Sequence, residues 1–239
     1  MGFTTKALHT KPAHKETYGA MRFPIYQSSA FEFDKAEDLE AVFKGYKMGH
    51  VYTRSSNPSI EEFELKVKAI SGAFGVIATA TGMAAISNTL FALLKSGDNI
   101  ITTNYLFGNT LSLFQTLLND FDVEVRYVDI SNLEAIKTAI DEKTRLLFCE
   151  SISNPQLIVP DFRAIKSVLS EHHVPLIVDT TMTPWNIFDA KKHGVDVEII
   201  SATKYLSGGG HVLGGLIVDN GTFNFLNWKL IHFAFHIPF

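Results

Sequence analysis

From residue 73 onward, seven short apolar runs rich in β-branched residues punctuate the chain, and no other feature limits its fold as strongly. They are "GVIATA" (75–80), "NIITT" (99–103), "VEVRYVD" (123–129), "RLLFCE" (145–150), "PLIVD" (175–179), "VEIIS" (197–201) and "GGLIVD" (214–219). Helical patterns over 82–95, 110–119, 131–140 and 161–171 fall between them. Strands alternating with helices are the grammar of βαβ crossovers. The expected fold is therefore α/β, a mostly parallel seven-stranded sheet with helices on both faces. The seventh run follows the sixth after a glycine-rich connection with no helical pattern, so it should enter the sheet antiparallel.

The flanks read differently. Residues 1–72 predict an extended arm followed by one amphipathic helix, "PSIEEFELKVKAI" (58–70), and residues 73–222 form the body of the domain. The tail over 223–239, "FNFLNWKLIHFAFHIPF", keeps neither period 2 nor period 3.6, and Asn, Lys and His break it too often for a membrane span. At the other end there is no apolar signal core, and Lys6 stands where myristoylation requires Ser or Thr, so a cytoplasmic protein is expected. A net charge of −4 without a basic stripe argues against nucleic acid as a partner. No metal-ligand spacing occurs. Cys149, the only cysteine, reads as core, and His172 and His173 read as solvated residues ending a helix.

In an open parallel sheet, ligands bind beyond the carboxyl ends of the strands. There the first strand runs into Thr81-Gly82-Met83, which opens a helix and so offers free backbone N–H groups to a phosphate. The fourth strand ends in "ESISNP", the fifth at Asp179, and the sixth at Ser201, Thr203 and Lys204. A dinucleotide fingerprint is absent, since "GGGHVLGG" has the wrong spacing and leads into a strand, and there is no P-loop. A lysine buried among apolar residues favours its neutral form, a nucleophile for carbonyl groups. Lys204 is therefore a candidate to form a Schiff base with an aldehyde cofactor. Pyridoxal 5′-phosphate (PLP) needs such a lysine, an acid for its ring nitrogen and donors for its phosphate. Asp179 would supply the acid, and Gly82, Met83, Ser201 and Thr203 the phosphate site. Taken singly, Lys204 also reads as a solvated rim residue and Asp179 as a turn residue.

The motifs "YTRSSNPSIEEFE", "TATGMAAI", "GDNII", "LFGNT", "ESISNPQLIVPD", "VDTTMTPW" and "SATKYLSGGGHVLGGLIVDNG" occur in this order. Through them the chain resembles the PLP-dependent enzymes of cysteine and methionine metabolism, the trans-sulfuration group, over about residues 17–222. The resemblance implies the large domain of fold type I, with Lys204 as the lysine that carries the cofactor and Asp179 as partner of its ring nitrogen. It implies that Asn154 hydrogen-bonds the phenolic oxygen and that Thr181 is a further cofactor contact. Tyr52 and Arg54 would reach the phosphate in a neighbouring subunit, which makes a homodimer the smallest working unit and a homotetramer its common form. Without the family, Tyr52 and Arg54 read as part of a surface turn around Asn57-Pro58.

Phe107 in "LFGNT" stands where most of the family stacks a tyrosine on the ring; it keeps the π-face and lacks the hydroxyl. Asn109 occupies the position of a cysteine typical of methionine γ-lyases. These stretches look most like the O-acetylhomoserine sulfhydrylase branch, which implies γ-replacement on O-acetyl-L-homoserine with sulfide or a thiol. The alternatives are a methionine or cystathionine γ-lyase and an inactive fragment. The last is an expectation from the family's smaller C-terminal domain, with its carboxylate-gripping arginine, which this sequence does not contain.

Overall fold

A computed structural model describes residues 2–12 and 18–224. The chain divides into two compact units, one ending at Ile70 and the other beginning at Ser71.

The first unit contains α1 (Phe3–His9), α2 (Ala36–Phe43) and α3 (Pro58–Ser71, running one residue into the second unit). Two of these correct the expectation of an extended arm with a single helix. In α2, Glu37 and Asp38 load the first turn with the charge that a helix N-terminus favours, but eight residues are too few to show a convincing period. Helix α3 starts where the sequence says it should. Pro58 occupies the first helical position, and Asn57 caps it by accepting the Ser59 N–H at 2.8 Å. The amide of Asn57 also donates to the Tyr26 carbonyl and to Thr53 Oγ1, each at 3.1 Å. Asn57 is therefore buried rather than part of a surface turn.

The second unit is built on a seven-stranded sheet in the order β1-β7-β6-β5-β4-β2-β3. Its strands are β1 (Gly75–Thr79), β2 (Asn99–Thr102), β3 (Glu124–Tyr127), β4 (Thr144–Glu150), β5 (Leu176–Asp179), β6 (Val197–Ile200) and β7 (Gly215–Asp219). All pairs are parallel except those of β7, which runs antiparallel to both β1 and β6, as expected of a connection that holds no helix. The helices are α4 (Gly82–Leu93), α5 (Gly108–Leu113), α6 (Leu133–Ala139) and α7 (Phe162–Glu171), and α5 runs on as a wider turn over Phe114–Leu118.

Side-chain alternation along each strand sends successive residues to opposite faces. Leu147 and Cys149 of β4 and Leu176 and Val178 of β5 pack with Ile136 of α6 and Ile165 and Leu169 of α7 in one apolar cluster. Cys149 is a fully buried core residue, and burial pushes its thiol pKa up. The alternate residues face the other way, where Phe148 meets Phe114 edge to face with ring centroids 5.2 Å apart. Continuing that alternation, Glu150 and Asp179 come out on the Phe148 face, paired with each other in the β4–β5 register. His172 closes α7 and His173 takes a left-handed φ of 55°, both exposed. Most of the aromatic tail, from residue 225 onward, lies outside the described residues. No helix among those described is long and apolar enough to cross a membrane.

Candidate active site

Three parallel strands and one helix end at the same edge of the sheet, and the expected site residues of the second unit gather there. Asp179 closes β5. Its Oδ1 accepts the Thr181 N–H at 2.9 Å, and Thr181 Oγ1 in turn accepts the Ser201 N–H at 2.8 Å, which ties the end of β5 to the end of β6. Burial pushes the Asp179 carboxyl up, and the Thr181 hydrogen bonds pull it back. No basic side chain among the described residues contributes.

Helix α4 opens beside Ser201. Thr81 caps it, accepting the Ala84 N–H at 3.0 Å, and the Ala85 N–H goes to the Thr81 carbonyl at 3.0 Å. The N–H groups of Gly82 and Met83, the first two helical residues, lie outside the intrahelical ladder. A Cβ at Gly82 would come within 2.7 Å of Ser201 Cβ, so only glycine lets the helix end approach β6 this closely. Thr203 is fixed from the other side: its Oγ1 accepts the Gly214 N–H at 3.1 Å, just before β7.

Lys204 follows in a tight turn, its N–H bonded to the Ser201 carbonyl at 3.1 Å. Its side chain is exposed. Burial within this chain therefore does not supply the desolvation that the apolar flanks of the motif suggested, because strand β6 ends at Ile200 and the chain turns into solvent before reaching the lysine.

A second group of contacts centres on a residue that the sequence did not single out. Glu150, the last residue of β4, is 7% exposed. Its Oε1 accepts the Phe107 N–H at 2.5 Å and its Oε2 accepts the Asn154 N–H at 3.1 Å. Burial pushes its pKa up to about 7; the Phe107 hydrogen bond opposes that rise, and the neighbouring Asp179 charge adds to it. The available signal was a lone acid closing the apolar run "RLLFC" in the same frame as the aspartate closing "LIV". The Phe107 ring is 45% exposed at the start of α5, and the Asn154 side chain is exposed as well, so a flat ligand has access to both.

Tyr52 and Arg54 belong to the first unit and not to the one that carries this cluster. Tyr52 pairs with Ala30 in an isolated bridge, and the Arg54 guanidinium lies 5.4 Å from its ring centroid. No group of His, Cys, Asp or Glu among the described residues is placed to hold a metal ion.

A carboxylate with no basic partner among the described residues, linked through Thr181 and Ser201 to a helix N-terminus, suits a ligand that brings both a cation and an anion, as the phosphorylated pyridine aldehydes do. The chain belongs to the family of Cys/Met metabolism PLP-dependent enzymes, whose profile matches residues 4–232. It is 39% identical to L-methionine gamma-lyase of Fusobacterium nucleatum subsp. nucleatum, over 91% of this chain and 55% of that one. To O-acetyl-L-homoserine sulfhydrylase of Leptospira meyeri it is 33% identical, over 96% and 52% respectively. A Campylobacter jejuni structure carrying N′-pyridoxyl-lysine-5′-monophosphate, assigned the name O-acetylhomoserine (thiol)-lyase, superposes with TM-score 0.87 at 34% identity. It is matched over 92% of this chain and 54% of its own. O-Acetylhomoserine sulfhydrylase of Wolinella succinogenes is 50% identical over 70% of this chain and 48% of its own, with TM-score 0.66. The chain thus spans about half the length of the relatives it matches. Its fold is that of the fold type I PLP enzymes, and the family uses PLP in trans-sulfuration and methionine metabolism.

Proposed function

We propose that the protein takes part in γ-replacement on O-acetyl-L-homoserine, with sulfide or a small thiol as acceptor. The 50% identity to the Wolinella sulfhydrylase carries this choice within the family. Asn109 supports it, because it stands at the position where methionine γ-lyases typically carry a cysteine.

The residues present fit PLP. Gly82 and Met83 N–H groups and the hydroxyls of Ser201 and Thr203 hold the phosphate. Asp179 accepts the ring N–H, and this cation relieves the desolvation of its carboxylate. Thr181 keeps that carboxylate aimed through its own N–H. Phe107 covers the ring face, and Asn154 donates to the phenolic oxygen. Lys204 would be the residue that holds the cofactor's aldehyde carbon. When bound, PLP supplies an electron sink for charge developing at the substrate's Cα. Lys204 Nζ, once free, takes the proton from Cα and moves the proton at Cβ. Acetate then leaves Cγ with the C–O bonding pair, and the sulfur of sulfide bonds to Cγ in its place.

In this reading Tyr52 and Arg54 serve the phosphate of a second copy, so the working form is a homodimer or a pair of dimers. Their mutual cation–π contact keeps both side chains together at the exposed end of the Ala30 bridge. The test is product analysis with O-acetyl-L-homoserine and sulfide. Homocysteine and acetate support replacement. An oxo acid and ammonia formed from methionine or cystathionine without added thiol would instead assign a γ-lyase, the reading favoured by the 39% identity to L-methionine gamma-lyase.

A further inference from the structure

The loop before α5 and the loop after β4 approach the sheet edge from different places in the sequence, and a single side chain ties both down. Glu150 gives one carboxylate oxygen to the N–H of Phe107 and the other to the N–H of Asn154, 43 and 4 residues away along the chain. It can do this because it is the last residue of β4 on the face that carries Phe148, so its side chain points toward α5 rather than into the α6–α7 cluster. The β4–β5 register then sets it beside Asp179. Three groups that face the cofactor in the proposed site are thereby keyed to one residue: the ring cover, the donor to the phenolic oxygen and the partner of the ring nitrogen.

We propose that Glu150 is a positioning residue, a two-oxygen clamp that fixes the backbone of Phe107 and Asn154 relative to Asp179 and so sets the orientation of the bound cofactor. This rests on the PLP reading of the site. Only a carboxylate of glutamate length serves. An amide has one acceptor oxygen and presents its NH₂ to the second N–H, and aspartate is one methylene short of spanning both. A carboxylate accepting backbone N–H bonds holds them about twice as firmly as a neutral acceptor does. Asp179 is the charged neighbour that acts on it across the strand pair, and its carboxyl is raised by burial as well.

Glu150→Gln tests this with little change in volume. In the full chain without PLP at pH 8.5, where Glu150 is ionised, amide hydrogen exchange should quicken at least tenfold in one or both of the segments 104–110 and 152–158, while protection of β5 and α7 stays as in the parent. With PLP added, borohydride should still fix the cofactor on Lys204. The visible circular dichroism per bound cofactor should fall at least twofold, and the dissociation constant should rise about tenfold. A purely structural role would lower the melting temperature and leave the dichroism of the bound fraction unchanged. Parent-like exchange in both segments overturns the clamp, and faster exchange with parent-like dichroism and affinity overturns its role in orienting the cofactor. No lysine adduct in the parent would instead sink the PLP reading, and the orienting role with it, while the exchange data would still report on the clamp itself. Glu150→Asp serves as a second variant and should show the same exchange pattern with the negative charge retained.

Discussion

Glu198 lies in the middle of β6 and is 2% exposed. It accepts from Thr180 Oγ1 at 3.1 Å and from Asn220 Nδ2 at 3.2 Å, and no basic side chain among the described residues offsets its charge. Burial therefore pushes its pKa from the ordinary 4.5 up to about 7, against the pull of hydrogen bonds from Asn220, Thr180 and Trp185. The sign follows directly. Between pH 4.5 and 7 the folded chain keeps a proton here that the unfolded chain has released. Stability is fully present below that window, is lost as the pH rises through it, and levels off above. The full difference corresponds to about 3 kcal/mol. Glu198→Gln removes the charge and keeps the shape: the amide oxygen still accepts from Asn220, and the NH₂ can donate to the Thr180 hydroxyl. The variant should be more stable than the parent by about 3 kcal/mol at pH 8 and by about 1 kcal/mol at pH 5. At roughly 2–4 °C per kcal/mol, the gap in melting temperature should be several-fold wider at pH 8 than at pH 5. Urea unfolding of both proteins at pH 5, 6, 7 and 8 measures it. A parent–variant difference that does not change with pH, or a less stable variant at pH 8, would refute the argument.

Gly215→Ala should weaken the sheet severely. A Cβ there would lie 2.1 Å from the Thr81 carbonyl oxygen and 2.5 Å from Thr79 Oγ1, which are backbone and strand atoms without room to yield. A loss of about 3 kcal/mol or more is expected by thermal unfolding. Gly75→Ala, with open space around the new methyl, is the control and should stay near the parent. Asp179→Asn keeps an acceptor for the Thr181 N–H and removes a buried charge, so the cofactor-free protein should be no less stable. Its PLP affinity, read by fluorescence titration, should fall at least tenfold, from the loss of a charge-assisted hydrogen bond of about 1.5–3 kcal/mol. Unchanged affinity would remove Asp179 from the cofactor site.

The sheet was legible in the sequence because strands buried on both faces read as short, nearly continuous apolar runs, and "NIIT", "LIVD" and "VEII" differ plainly from the amphipathic pattern of α7. Even the antiparallel entry of β7 followed from the lack of a helical pattern in its connection. The placement of Asp179, Ser201 and Thr203 at or just past the strand ends was legible for a related reason, since apolar runs mark where the strands stop. Helix α2 was not, because eight residues fit more than one period. For Lys204 the solvated-rim reading held and the buried one did not, because flanking hydrophobicity describes the strand behind it and not the turn it stands on. Glu150 was hidden more deeply. Its partners are backbone N–H groups, which have no sequence identity, and Phe107 lies 43 residues away. Reading it required the register of β4 on β5 and the path of the loop into α5, both of which are tertiary facts.

We propose that this strand-end cluster is a PLP site with Lys204 as its covalent anchor. Incubating the purified chain with PLP, reducing with borohydride and sequencing the modified peptides by mass spectrometry tests it most directly. One major pyridoxyl-lysine is expected, on Lys204, accompanied by loss of the visible absorption band and abolished by Lys204→Ala in a protein that still unfolds cooperatively. Labelling spread over surface lysines such as Lys44 and Lys192, with the Lys204 peptide unmodified in a folded protein, would contradict it.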